Sequence, residues 1–376
     1  PAVIPLGLTW EKSTTLNLGL DFAFLSNRLQ FSGDIYQRKT TDMFTVGMSL
    51  PAVFGTDVPK GNYADLTTKG FELSVSWRDQ FQLASKPFNY EVRFTLADYQ
   101  STIDKYNNPE KKLGDDYYYE GMKVGEIWGY ETEGFFTSQA DIDSHAKQPY
   151  FYAGATAGQW LPGDIKFKDL NGDGVIDYGN NTVDNPGDQK IIGNSEPRFI
   201  YGINLSGDWN NFFVSAFFQG VGKQDWWPGS EASYFWGMYN RPYNDMPKSH
   251  LGNIWTEENP NTYFPRLRGY SSEEPYAELN LKQTRYLQNI AYIRMKNIQL
   301  GYTLPKSFIS KLRMQNAKVY VSGENLWSWS PFYKYSKDLD VEAVRGSDRD
   351  LTEGTSGNGY SYPILKSVSF GLSVTF

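Results

Sequence analysis

Tyr362-Pro-Ile-Leu-Lys-Ser-Val-Ser-Phe-Gly-Leu-Ser-Val-Thr-Phe376 closes the chain, and its alternation decides how the rest is read. Val368, Phe370, Leu372, Val374 and Phe376 fall in one phase; Ser367, Ser369, Gly371, Ser373 and Thr375 fall in the other. Successive side chains of a strand point to opposite faces, so this strand has a greasy wall and a wall of small polar groups. Lys366 is the one charge in the greasy phase, ten residues before Phe376. At a tilt near 40° that separation spans about 25 Å of height, the apolar band of an outer-membrane barrel, and it puts the lysine at the far interface. A half-buried strand of a soluble sandwich shows the same pattern, so recurrence must decide between them.

The alternation recurs. It returns at Leu16, Leu18, Leu20, Phe22, Phe24; at Leu29, Phe31, Gly33, Ile35; at Phe71, Leu73, Val75, Trp77; and at Tyr90, Val92, Phe94, Leu96. Further on come Phe199, Tyr201, Ile203, Leu205; Phe212, Val214, Ala216, Phe218; Ile298, Leu300, Tyr302, Leu304; and Val319 with Val321. With the terminal strand the count is about nine. The opposite phase carries Asp21, Asp34, Glu72, Glu91 and Arg93, charges that a sealed core would not tolerate without partners and a water-filled lumen would. Connections alternate short and long: short after Leu25, Trp77, Leu205 and Leu304, long over about 45–65, 101–197, 224–285 and 330–361. That is the habit of outer-membrane barrels, with short periplasmic turns and long extracellular loops. The parity puts the strand-like run Gly125 to Phe136 inside a long excursion, and it demands a bulge or a rim position for Arg294 and Lys296, which share the phase of Ile298 and Leu300. An odd strand count leaves an edge open, and no leader or initiator Met precedes Pro1, so residues 1–376 are expected to be the C-terminal part of a longer barrel.

Composition agrees. Aromatics make up 16% of the residues, a load suited to interfacial belts or to ring-binding surfaces. Mean hydropathy is −0.54 and no apolar run is long enough for a transmembrane helix, which leaves a transmembrane barrel open. A net charge of −7 argues against nucleic acid as a partner. The absence of cysteine removes disulfides, thiolate metal sites and cysteine nucleophiles. With only His145 and His250, and with neither a Gly-x-Ser-x-Gly elbow nor a phosphate-binding Gly-rich loop, catalysis finds no support and a non-enzyme is expected.

Two constellations stand out as candidate sites. Asp169, Asn171, Asp173, Val175 (by its carbonyl) and Asp177, with Gly174 at the sixth place, reproduce the front of a calcium loop, so a structural calcium is expected there. The twelfth place is Asn180 where a bidentate Glu belongs; Asp184 or Asp188 could stand in, and an Asn/Gly/Asp turn that binds nothing is the bland alternative. Trp226, Trp227, Tyr234, Phe235, Trp236 and Tyr239 crowd one long excursion and are expected to contact substrate or a partner. Trp327 and Trp329, near another, fit an interfacial girdle better.

Several motifs carry a family resemblance. Gly134-Phe-Phe-Thr-Ser-Gln-Ala-Asp-Ile142, Gly163 to Asp177, Ile192-Gly-Asn-Ser-Glu-Pro-Arg198, Phe217-Phe-Gln-Gly-Val-Gly222, Arg294 to Pro305 and Val321-Ser-Gly-Glu-Asn-Leu-Trp327 together resemble the SusC/RagA family, TonB-dependent outer-membrane transporters of Bacteroidetes. The resemblance implies an all-β antiparallel transmembrane barrel of 22 strands, in contact with outer-membrane lipid and filled by an N-terminal plug that this chain lacks. It also implies a SusD-like surface lipoprotein over the extracellular mouth, oligosaccharide or peptide cargo, and energy from TonB acting through the missing N-terminal region. A secreted β-sandwich that binds or hydrolyses carbohydrate is the alternative from another class, and an ungated porin a third.

Overall fold

The structure is a computed structural model and describes residues 7–46, 53, 55, 58–114, 117–148, 160–230, 232–241, 243–273, 277–344 and 362–376. Parts of all four expected excursions lie outside the described residues.

Among the described residues fifteen strands form: β1 (Lys12–Phe24), β2 (Leu29–Val46), β3 (Lys60–Leu83), β4 (Lys86–Lys105), β5 (Glu126–Tyr130), β6 (Thr132–Phe135), β7 (Ile165–Phe167), β8 (Gln189–Asn194), β9 (Arg198–Trp209), β10 (Phe212–Lys223), β11 (Asp225–Trp226), β12 (Gln288–Asn289), β13 (Tyr292–Thr303), β14 (Asn316–Trp329) and β15 (Ser367–Thr375). Nine of them make one sheet in the order β1-β2-β3-β4-β9-β10-β13-β14-β15. Every pair in it is antiparallel, so the sheet is a meander with loops inserted, as expected from the alternation. The remaining strands form three two-stranded pairs, β5 with β8, β6 with β7 and β11 with β12.

One end of the sheet carries tight turns. β9 and β10 are joined by Asn210 and Asn211 with φ of +49° and +72°, and β3 and β4 by Ala84 and Ser85 with φ of +48° and +60°. Two consecutive left-handed residues make the hairpin turn whose twist matches the strands. Asn-Asn signals such a turn; Ala-Ser does not. The opposite end carries the long connections and, with them, the three small sheets.

The greasy phase faces out. Leu16 is 76% exposed, Leu300 58% and Phe370 83%, and Leu18, Leu20, Ile35, Val92, Leu205, Val214, Val319, Val368 and Leu372 are exposed with them. An apolar wall of this extent belongs against lipid or a second sheet. Among the described residues no other sheet larger than two strands lies against it.

The expected loop boundaries need correction. β2 and β3 continue to Val46 and from Lys60, so the connection expected at 45–65 shrinks to 47–59. β4 runs to Lys105, shortening the 101–197 excursion, while the excursions from 224 and 330 extend to the starts of β13 and β15 beyond 285 and 361. In β3, 24 residues long, the alternation Phe71 to Trp77 marks only the middle. About ten residues suffice to cross the apolar band; beyond it the backbone ladder continues with polar side chains on both faces, and the hydrophobic signal stops before the strand does.

Candidate functional site

The polar phase lines the concave side of the sheet. Asp34, Glu72, Ser74, Arg93, Thr95 and Gln219 border one cleft there, and Gln30, Arg78 and Glu91 join a second nearer the hairpin end. The charges are tethered laterally: Asn17 Nδ2 donates to Asp34 Oδ1 at 3.1 Å, Arg93 Nε to Ser74 Oγ at 3.1 Å, and Arg78 Nη2 to Glu91 Oε2 at 2.9 Å. This wall offers donors and acceptors of both signs to a polar solute. It is suited to passage.

Above the wall, at the long-loop end, the excursions fold into a cap with its own core. Trp226, Trp236, Tyr239, Phe264, Tyr286 and Phe332 are fully buried in it. This corrects the reading of the aromatic constellation as a contact surface. Trp226, Trp227, Phe235, Trp236 and Tyr239 are all buried, and only Tyr234, 56% exposed, faces outward. They pack on each other and on aromatics further along the chain: Trp226 edge-on to Phe332 of the next excursion, Trp236 edge-on to Tyr286 of the same one, Phe235 edge-on to Trp236. Their polar ends are satisfied internally, Trp236 Nε1 donating to the Gly229 carbonyl at 2.9 Å and the Tyr239 hydroxyl to that of Pro265 at 2.5 Å. Large aromatics bury more area than any other residue type, so a cap without a continuous sheet spends them on cohesion. Trp327 and Trp329 at the tip of β14 remain exposed.

Buried charges fasten the cap. Asp164, fully buried, accepts from Arg266 Nε at 2.5 Å and from Arg268 Nε at 2.8 Å. Glu278 accepts from the Ile165 amide at 2.9 Å, and burial pushes its carboxyl up despite both arginines nearby. Arg198 grips Asp98 with two bonds of 2.6 Å, joining β9 to β4 at the rim. Sequence patterning misses these partners, which stand up to 113 residues apart.

The demanded bulge is present. Phe217 pairs with Asn297 but Phe218 with Met295, so Lys296 is the extra residue. The phase of β13 flips there, leaving Leu300 outward and turning Arg294 inward, where it is 3% exposed. Arg294 Nη2 donates to Asp340 Oδ1 at 2.6 Å, and its Nε lies 2.8 Å from Glu342 Oε1, out of hydrogen-bond alignment. Lys296 Nζ reaches Glu342 Oε2 at 2.6 Å. Asp340 also accepts from the amides of Glu342 and Ile364, at 3.0 and 3.1 Å. Both limbs of the excursion between β14 and β15 are thereby tied to the bulge.

The expected calcium loop closes on itself. Asp169 accepts from the amides of Gly172 and Gly174 at 2.6 and 2.9 Å, Asn171 from that of Asp173 at 2.9 Å, Asp173 from that of Val175 at 2.9 Å, and Asp177 from that of Gly179 at 2.7 Å. Asp188, buried, accepts from the amides of Leu170 and Asp177, and burial pushes its carboxyl above the usual range. These are Asx turns. Among the described residues no three Asp, Glu or His side chains converge as a ligand set, so a cation would have to recruit oxygens now bonded to amides.

Comparison with known proteins supports the barrel. A scan against protein-family models matches none to this chain. The chain is 28% identical over 98% of its length to TonB-dependent receptor P3 of Formosa agariphila, of which it covers 34%. It is 23% identical over its whole length to TonB-dependent receptor SusC of Bacteroides thetaiotaomicron, covering 33% of it. A solved structure of the RagAB peptide transporter superposes with a TM-score of 0.70 at 20% identity, over 98% of this chain and 36% of that one. The chain thus spans about a third of the length of the relatives it matches. The resemblance to SusC-like TonB-dependent receptors holds over nearly every residue, and the nine-stranded sheet is part of an outer-membrane β-barrel.

Proposed function

We propose that this chain is the C-terminal part of the barrel of a TonB-dependent outer-membrane importer, which takes up oligosaccharides or peptides handed over by a SusD-like surface lipoprotein. One observation carries the reading: a single antiparallel meander, apolar outside and polar inside, bears a densely packed cap at its long-loop end only. A wall of that polarity passes polar cargo, and a cap on one end is where cargo and a lid would meet the barrel. The names of the relatives, receptors dependent on TonB, support energised import over passive conduction. The RagAB neighbour is a peptide transporter, and SusC gives its name to the family resemblance. A structural calcium at Asp169, Asn171, Asp173, Val175 and Asp177 is a separate proposal, supported by the residue spacing alone.

The test is made on the full-length protein in its own membrane. Outer membranes are extracted in detergent, the complex is purified through this chain, and co-purifying proteins and small molecules are identified by mass spectrometry. A surface lipoprotein together with saccharide or peptide is expected. A chain recovered without any lipoprotein, in cells whose uptake of labelled oligosaccharides and peptides does not change on deletion, removes the proposal.

A further inference from the structure

The cap contains a half-enclosed cavity of about 570 Å³ apart from the polar wall, touching the buried aromatic core at Tyr130. Its volume lies in the range of small-molecule sites. It opens between the segment leading into β5, the turn around Tyr178 and the residues before β12, so three separate stretches build it. Trp128, Tyr119 and Tyr178 supply aromatic surface; Glu126, Gln189 and Asn280 supply polar groups.

The polar groups are prearranged. Trp128 Nε1 donates to the Tyr119 hydroxyl at 3.2 Å, and that hydroxyl donates to Glu126 Oε2 at 2.5 Å. Glu126 Oε1 accepts from the Lys123 amide at 3.2 Å. This relay fixes the carboxylate beside the indole and leaves each oxygen a second acceptor position. Gln189 uses one N–H on Asn181 Oδ1, at a long 3.4 Å, which leaves its carbonyl oxygen available. Glu126 and Lys282 give the lining one charge of each sign, and it holds no arginine. A ligand here meets aromatic faces, amides and one oriented carboxylate in an electrically balanced setting. It finds no fork for a carboxylate and no net attraction for a cation.

We propose that this cavity binds a neutral carbohydrate unit of one or two rings. The apolar face of a sugar ring stacks on an aromatic side chain, while its ring hydroxyls, each donor and acceptor, suit a carboxylate flanked by amides. A peptide would bring charged termini or acidic side chains, for which the lining offers only the single charges of Lys282 and Glu126 and no bidentate fork. As a statement about cargo the proposal rests on the import reading; as a statement about binding it does not.

The full-length complex in detergent is screened by saturation-transfer NMR against maltose, cellobiose, lactose and mannobiose, with Gly-Tyr and Ala-Phe as peptide probes, and responders are titrated. At least one disaccharide is expected to bind. Trp128→Ala should then weaken it about tenfold or more, as loss of a stacking surface does, and Trp128→Phe should restore most of the affinity. Gln189→Ala and Asn280→Ala, which remove polar contacts without opening the cap core, should weaken it several-fold and decide the matter if Trp128→Ala misfolds. Trp329→Ala, on the exposed strand tip, should change nothing. No disaccharide signal that depends on these residues, or a dipeptide signal that does, overturns the proposal. Loss of import in cells with disaccharide binding intact would bear on the import reading alone.

Discussion

Arg294 is a cation on a strand whose neighbours along the sequence face lipid, and a single inserted residue makes its position tenable. Without the bulge at Lys296, Arg294 would share the outward phase of Leu300, where a charge costs from about 0–1 kcal/mol near the interface to about 2–4 at mid-depth. With it, the guanidinium turns inward onto Asp340. Burial alone would raise the Asp340 carboxyl, but the bonds from Arg294 and from the amides of Glu342 and Ile364 outweigh it and hold the group below the usual carboxylate range. The sign follows: a depressed folded value stabilises the tie at all pH above the unfolded value near 4, and the stabilisation is lost as pH falls through the folded value. The protection factor against hydrogen exchange at 336–344, the intrinsic rate over the observed rate at the same pH, is expected to fall on acidification below about pH 4, and Asp340→Asn to lower it already at neutral pH. Because Glu342 still compensates Arg294, the substitution should cost about 1–3 kcal/mol, less than a fully orphaned buried pair. A protection factor insensitive to both would separate the excursion from the bulge. The second residue-scale prediction concerns the proposed calcium. Chelator is expected to increase protease cleavage within 163–188, and Asp169→Ala with Asp173→Ala to abolish that response. Cleavage indifferent to chelator in the wild type would leave the Asx turns as the whole account of those carboxylates.

Strands are where the sequence was most legible, and for a physical reason. Lipid on one side and water on the other force a period of two, so all nine strands and their alternating connections could be read from the phase of residues such as Leu16, Leu300 and Phe370. Their ends could not, because past the apolar band the ladder persists without that constraint, as in β3 from Lys60 to Leu66. Aromatics on the inner face also escape a phase count. Tyr320 lies across Gly371, its directly opposite partner on β15, and a Cβ there would overlap the ring. Such a cover shields a glycine that would otherwise weaken the strand. The facing assignment is tested on β15 itself. Phe370→Arg should impair assembly, with a cost of about 2–4 kcal/mol near mid-depth, while Ser369→Arg, facing inward opposite Ser322, should be tolerated. Heat-modifiable gel mobility after refolding into lipid vesicles reads both, and equal behaviour of the two would contradict the assignment.

At the scale of the molecule, barrel and cap obey different rules, and the cap was the less legible. Its aromatics looked like contact residues because nothing local distinguishes a tryptophan that stacks on a ligand from one that stacks on a distant loop. Trp226 meets Phe332 and Trp236 meets Tyr286 across separations no pattern spans. Its charges were equally opaque, since Asp164 and Arg268 become partners only after two excursions have met. The barrel, by contrast, is held by neighbour-to-neighbour ladders and apolar burial in lipid, neither of which needs the cap. The two should therefore fail separately. Trp236→Ala removes a fully buried indole and should cost the cap about 3–5 kcal/mol through the cavity left behind. The expected result is a barrel that still inserts and keeps its heat-modifiable mobility, with a cap that becomes protease-sensitive across 225–290. If instead the variant fails to insert at all, the cap is part of the barrel's folding unit, and the ladders alone do not suffice to build it.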